Sequence, residues 1–209
     1  MSAKAKREQN RRELRALILD AAREAVVRNG VENLSMRKLA QAIGYSPGTL
    51  YLHFKDKDEL LHCVVEESFA RLLDALQQIQ DRDGGIEALR RKLRVYVDFG
   101  LRHPHHYHFA FMMRPVDNRR SRRSVPHEAF DELRNAVREC VERKQFREVD
   151  VETTSQALWA AIHGITSLLI VRSDFPWVDR DTVIEQVIET ALEGLRANPD
   201  DAGGTHEQR

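Results

Sequence analysis

An all-α fold of about nine helices is predicted by three features of the sequence. Apolar residues recur three and four apart through every long segment, and glycines and prolines punctuate the breaks between segments. No stretch alternates apolar and polar residues for long enough to compete as a strand. With 209 residues, 42% of them hydrophobic, the chain is long enough for a sizeable core, and its length suits one large domain or two small ones.

The first helix is expected over residues 11–29. There Leu14, Leu17, Ile18, Ala21, Ala25 and Val26 form one stripe, and Gly30 stops it. Residues 1–10 carry Lys4, Lys6 and Arg7 with little to bury, so they read as a disordered basic arm, and residues 198–209 read as a disordered tail. Helices follow at 35–43 and 46–54, then a long one over 58–79 built on Leu61, Val64, Val65, Leu72, Leu73, Leu76 and Ile79. The pair Gly84-Gly85 breaks the pattern before 86–102, and Pro104 restarts a short segment that runs to 113. A charged loop leads to 125–144, and helices over 151–172 and 181–195 complete the chain. The expected division is a three-helix domain over 1–60 and a helical domain over 61–197.

The segment from Leu34 to Lys55 has the physical marks of a helix-turn-helix. Ala40 is small where two helices approach closely, and Gly44 can take the positive φ that ends a helix in a tight turn. Ser46 is placed as the N-cap of the next helix, with Pro47 at its first position. Gly48 beside Thr49 keeps the leading end slim, as a helix entering the major groove requires, so Thr49 and Tyr51 are the base-side candidates. Asp56 caps the fourth helix, with Glu59 three residues on, and the N-terminus between Lys55 and Lys57 has the makings of a phosphate clamp. The plain alternative is a tight helical hairpin with a solvated charged face.

Charge distribution agrees with a polyanion partner for the first domain alone. Residues 1–60 hold 12 Lys and Arg against 8 Asp and Glu, whereas the remainder holds 21 against 25, so a neutral chain is basic at one end.

From Tyr45 through Ser46, Pro47, Gly48, Thr49, Leu50, Tyr51, Leu52, His53, Phe54 and Lys55 to Leu61, the sequence resembles the DNA-binding signature of the TetR/AcrR family of transcriptional regulators. That resemblance spans residues 11–61. It implies that Ser35, Arg37, Tyr51, His53 and Lys55 touch the DNA backbone, while Pro47, Gly48 and Thr49 lie deepest in the groove of double-stranded operator DNA. The later stretch Trp159-Ala160-Ala161-Ile162-His163-Gly164 is similar to the Trp…His-Gly signature of one subgroup. The family further implies an effector pocket within residues 84–172, a homodimer built from the last two helices, and repression relieved by a small molecule. A constitutive or protein-regulated regulator without an effector is one alternative, and a metal-binding protein working through its histidine run is the other.

For the pocket, the aromatic and polar candidates are Tyr96, Phe99, Tyr107, Phe111, Met112, Phe130, Trp159 and His163, which suit an apolar or amphipathic effector but are equally ordinary core residues. Val183, Ile184, Val187, Ile188, Ala191, Leu192 and Leu195 repeat as a broad stripe, as do Ile162, Ile165, Leu168 and Leu169; either serves internal packing or a partner subunit.

Several classes are set aside. The run His103-Pro104-His105-His106-Tyr107-His108 invites a metal reading, but no carboxylate or cysteine ligand sits beside it, so no metal is expected. The basic stretch 119–123 reads as a solvated loop. No nucleophile–base pattern or phosphate-cradling glycine loop is present, so neither an enzyme nor a cofactor is expected. Without a signal pattern or an 18-residue uncharged apolar run, and with only Cys63 and Cys140, the sequence points to a cytoplasmic protein with reduced thiols and no membrane partner.

Overall fold

The structure is a computed structural model that describes residues 2–79, 84–112 and 125–197, apart from the side chains of Ala3 and Met112. Among the described residues lie nine α-helices: α1 (Ala3–Asn29), α2 (Met36–Ala42), α3 (Pro47–Tyr51), α4 (Lys57–Gln77), α5 (Gly85–Arg102), α6 (Pro104–Tyr107), α7 (Val125–Glu142), α8 (Val151–Val171) and α9 (Arg180–Glu193). A 3-10 turn at Val31–Asn33 and a π-helical segment at His108–Met112 join them. No strand forms among these residues, and one isolated bridge pairs Phe146 with Arg196. The expected tail at 198–209 and the basic stretch at 119–123 lie outside the described residues.

Residues 2–10 correct the expectation of a disordered arm. The helix begins at Ala3, where the Ser2 side chain accepts a hydrogen bond from the Ala5 amide at 3.2 Å, and it runs unbroken to Asn29. Apolar periodicity starts only at Leu14, but Ala, Lys, Arg, Glu and Gln are all strong helix formers, and a helix already nucleated by packing further along extends through them at little cost.

Contacts divide the described residues into two compact units, one drawn from 1–70 with 103–124 and the other from 71–102 with 125–209. The division therefore falls inside α4 rather than at residue 61, and α6 with the π-helical segment belongs to the first unit. The reason is long-range packing: α6 and the π segment lie against α1, and Phe109, 2% exposed, joins the first core. That core unites Ile18, Ala22 and Val26 of α1 with Leu39 and Ala40 of α2, Leu50 of α3, and Leu60 and Val64 of α4.

In the second unit α5 is central and packs on α7, α8 and α9. Leu89, Leu93 and Val97 meet a core that includes Ile162 and Leu169 of α8 and Ile184, Ile188 and Leu192 of α9. Ion pairs fasten the outer side, Arg94 to Asp98 at 3.0 Å and to Glu185 at 2.7 Å, and Arg90 to Glu189. By length and composition alone α8, with a mean hydropathy of 1.3 over its most apolar window, would be long enough to cross a membrane; here it packs on α5, α7 and α9.

Candidate nucleic-acid interface

The local chemistry of the helix-turn-helix fixes where α3 starts and which way it faces. Ser35 caps α2, its Oγ accepting from the Lys38 amide at 3.1 Å, and leaves Arg37 exposed in the first turn. At the end of α2, Gly44 adopts φ 76° and the Tyr45 amide donates to the Ala40 carbonyl at 2.9 Å, which closes the turn. Ser46 then caps α3, accepting from the Thr49 amide at 3.2 Å and sharing a hydrogen bond with Thr49 Oγ1 at 2.9 Å, while Pro47 occupies the first helical position.

Leu50 is fully buried and anchors α3 to the core, so the remaining side chains of this short helix turn outward. Pro47 and Gly48 are exposed, Thr49 is half-buried, and Tyr51 is 54% exposed. A Cβ at Gly48 would meet only Ser46 Oγ, at 3.7 Å, so nothing within the described protein demands its slimness. Leu52, 77% exposed, is an apolar tip that the sequence reading did not single out.

Beyond α3 the caps interlock. Asp56 accepts from the Glu59 amide at 2.8 Å, and the Glu59 carboxylate reaches back to the Lys55 amide at 2.5 Å. The two lysines expected as a phosphate clamp differ. Lys55 is exposed, whereas the Lys57 ammonium donates to the Val31 carbonyl at 2.5 Å and ties the start of α4 to the turn after α1.

His53 is half-buried, and its pKa is lowered first by burial and then by the nearby positive charges of Arg11 and Arg15. Arg15 was missing from the expected site. Its guanidinium donates to the His53 carbonyl and to Cys63 Sγ, each at 3.1 Å, and lies 4.3 Å from the centre of the Phe54 ring. The only sequence signal for it was its place in a basic series at three- and four-residue spacing along α1.

The aromatic candidates are divided between the two units. In the first, Tyr107 is 1% exposed and stacks near Phe111 at 5.0 Å, which in turn meets Phe69 edge-on at 5.0 Å; the Met112 side chain lies outside the described residues. In the second, the Trp159 indole donates to the Tyr96 hydroxyl at 3.1 Å, that hydroxyl is 3.0 Å from His163 Nδ1, and Phe130 meets the Trp159 ring at 6.0 Å. Phe99 is buried in α5, and burial lowers the His163 pKa. An open notch of about 380 Å³ beside Gly84, Lys144 and Arg196 includes none of these candidates.

Within the histidine run, His106 Nδ1 lies 3.1 Å from the buried Ser68 hydroxyl, and the His103 and His106 rings meet edge-on. No three His, Cys, Asp or Glu side chains converge as a metal cluster among the described residues.

Comparison with known proteins gives a consistent picture. Residues 18–64 match the model for bacterial regulatory proteins of the tetR family, and residues 89–195 match the tetracyclin repressor-like C-terminal domain. That second match is to the domain in general and does not single out the Trp…His-Gly subgroup. The probable HTH-type transcriptional regulator ArpR of Pseudomonas putida is 27% identical over 199 residues, covering 90% of this chain and 93% of that protein. Among solved structures, a TetR family transcription regulator from Marinobacter aquaeolei superposes with a TM-score of 0.71 at 22% identity, over 93% of this chain and 100% of the other. The regulator FadR from Bacillus subtilis, solved in complex with stearoyl-CoA, has the same fold, with a TM-score of 0.70 at 18% identity, over 87% of this chain and 99% of the other. With both portions of the chain matched, the protein belongs to the tetR family of bacterial regulatory proteins and is a DNA-binding transcriptional regulator.

Proposed function

We propose that this regulator is a homodimeric repressor, which holds two operator half-sites through its α3 helices and leaves them when a small molecule occupies the second unit. The observation that carries the DNA-reading part is the build of α3. Its start is fixed by Ser46 and Pro47, its core side is fixed by Leu50, and Gly48, Thr49 and Tyr51 are left to face outward. Ser35, Arg37, His53 and Lys55 flank it as candidate backbone contacts.

Two outward faces support pairing of subunits. On α8, Ile162, Ile165 and Leu169 turn inward, whereas Ala157, Ala160, Leu168 and Val171 are exposed and a Cβ at Gly164 would meet nothing within 4 Å. On α9, Ile184, Ile188 and Leu192 are wholly buried, while Val183, Val187 and Ala191 form a second, half-buried stripe. A small-residue face beside an apolar stripe suits close approach of two helix pairs across a two-fold axis.

The effector site is assigned to the second unit around Tyr96, Phe130, Trp159 and His163, whose mix of rings and a few polar atoms suits an apolar or amphipathic molecule. FadR, which shares the fold, was solved with stearoyl-CoA, so the fold accommodates such a ligand in that protein. Release then follows from preferential binding of the effector to a dimer state that fits the operator poorly. A regulator without an effector is the second reading, favoured by the way the polar atoms of Tyr96, Trp159 and His163 satisfy one another.

The test is release of labelled operator by a library of apolar and amphipathic compounds. The proposal expects two chains per operator and at least one compound that frees the operator from the native protein but not from the Trp159→Ala variant. One chain per operator, or indifference to every compound, would count against it.

A further inference from the structure

The first helix runs past the core it packs into. From Leu14 to Val26 one face of α1 is packed into the first core, through Leu14, Ile18, Ala22 and Val26. Continued toward the N-terminus at the same three- and four-residue spacing, that face carries Arg11, Arg7 and Lys4. Residues 4–13 are all exposed, so this stretch overhangs the core by about 15 Å at 1.5 Å per residue.

The place from which the overhang springs is set by Arg15, one turn further on, whose guanidinium is bonded to the His53 carbonyl at 3.1 Å. Arg11 is near enough to act on the His53 charge. The basic face therefore begins beside His53, two residues beyond the end of α3 and two before the exposed Lys55, within the same unit.

A solvated helix face would interleave opposite charges at four-residue spacing. Here Arg7, Arg11 and Arg15 are like charges at that spacing, an arrangement that weakens an isolated helix. Glu8 alone borders the face with negative charge, while Lys6 and Glu13 lie on the opposite side of the helix. A helix that keeps such a face, capped at Ser2 and anchored through Arg15 to the chain just beyond α3, is built for a polyanion.

We infer that the overhanging turns of α1 are a second DNA contact, in which Lys4, Arg7 and Arg11 grip the phosphates of the duplex beyond the half-site read by α3. This rests on the reading of α3 as the operator-facing helix. It makes the operator footprint longer than α3 alone requires, and it makes affinity depend on flanking DNA of any sequence.

The experiment uses an operator selected by the full chain from a random duplex pool, set either in a duplex trimmed to the half-sites or in one extended by ten base pairs on each side. The Lys4→Ala/Arg7→Ala/Arg11→Ala variant is expected to lose about tenfold or more in affinity for the long duplex. Its salt dependence should become shallower by about one unit of slope for each lost phosphate contact. On the trimmed duplex it should bind within about twofold of the native chain, which also reports that it is folded. Arg7→Lys/Arg11→Lys should retain the slope, and Lys6→Ala, on the opposite side, should leave it unchanged. Equal affinity and equal slope for the triple variant and the native chain on the long duplex would overturn the inference while leaving α3 as the reader. Failure of the native chain to select any sequence would overturn both.

Discussion

Arg15 donates a hydrogen bond to the main-chain carbonyl of His53, so the first helix is clamped to the chain two residues beyond the end of α3. The same guanidinium also reaches Cys63 Sγ and the Phe54 ring, which places one side chain at the junction of α1, α3 and α4. Removing it as Arg15→Ala is expected to cost about 1–3 kcal/mol. Arg15→Lys, which keeps the charge but not the forked donor, should recover less than half of that. Thermal unfolding checks both, with a fall of about 2–10 °C for the alanine variant; a Tm unchanged by either substitution would show that the clamp is decorative.

The turn between α2 and α3 depends on backbone conformation rather than space. Gly44 sits at φ 76°, yet a Cβ there would touch nothing within 4 Å. Gly44→Ala should therefore destabilise by about 1–2 kcal/mol through the left-handed backbone alone, and Gly44→Asn by less, since Asn tolerates that region. Denaturant midpoints for the two variants check the order, and an alanine variant as stable as the native chain would contradict it.

Acid should destabilise the protein well above the carboxylate range. His53, His108 and His163 all have pKa values lowered from 6.5, chiefly by burial. The unfolded chain therefore binds more protons than the folded one near and below pH 6.5, and stability rises with pH through that window. The stabilising contribution is complete above the ordinary histidine pKa and is lost as pH falls toward the lowered folded values. The exposed caps Asp150 and Asp179, held low by hydrogen bonds with Thr153 and Thr182, act in the same direction only at more acid pH. Denaturant unfolding at pH 8, 6 and 5 is expected to give falling midpoints, with a shallower fall in His163→Gln. A flat profile would contradict the account.

Pairing and internal packing are separable on the last two helices. Leu168, 49% exposed, is predicted to matter only to the dimer, so Leu168→Arg should give a folded monomer by light scattering that has lost about a hundredfold or more in operator affinity with its second half-site. Ile188, fully buried, should instead cost about 2–4 kcal/mol as Ile188→Ala. A Leu168→Arg protein that remains dimeric would place the interface elsewhere.

Most of the fold was legible because its signals are local. Ser35, Ser46, Pro47, Gly44 and Asp56 act on their own few residues, so caps and turns could be placed from the sequence alone. What was missed depends on distant partners or on propensity without periodicity. The start of α1 carries no apolar stripe, and the turns before Arg11 read as an arm. The assignment of α6 to the first unit rests on its packing against α1, far away in sequence. Lys57 looked like a phosphate ligand beside Lys55, but its ammonium is committed to Val31, a contact that only the folded turn creates. The broad apolar stripe of α9 was visible as one face, whereas burial splits it into Ile184, Ile188 and Leu192 inside and Val183, Val187 and Ala191 outside.

The most direct test of the central claim is titration of the native chain and of Tyr51→Ala against the DNA flanking its own gene, at two salt concentrations. If α3 reads the operator, the native chain binds tightly at a limited site and more weakly at higher salt. Tyr51→Ala then loses about 1–3 kcal/mol, roughly ten- to a hundredfold, with its helical spectrum intact. Equal affinity of both proteins for that site, or binding that is weak and uniform along every fragment, would contradict it.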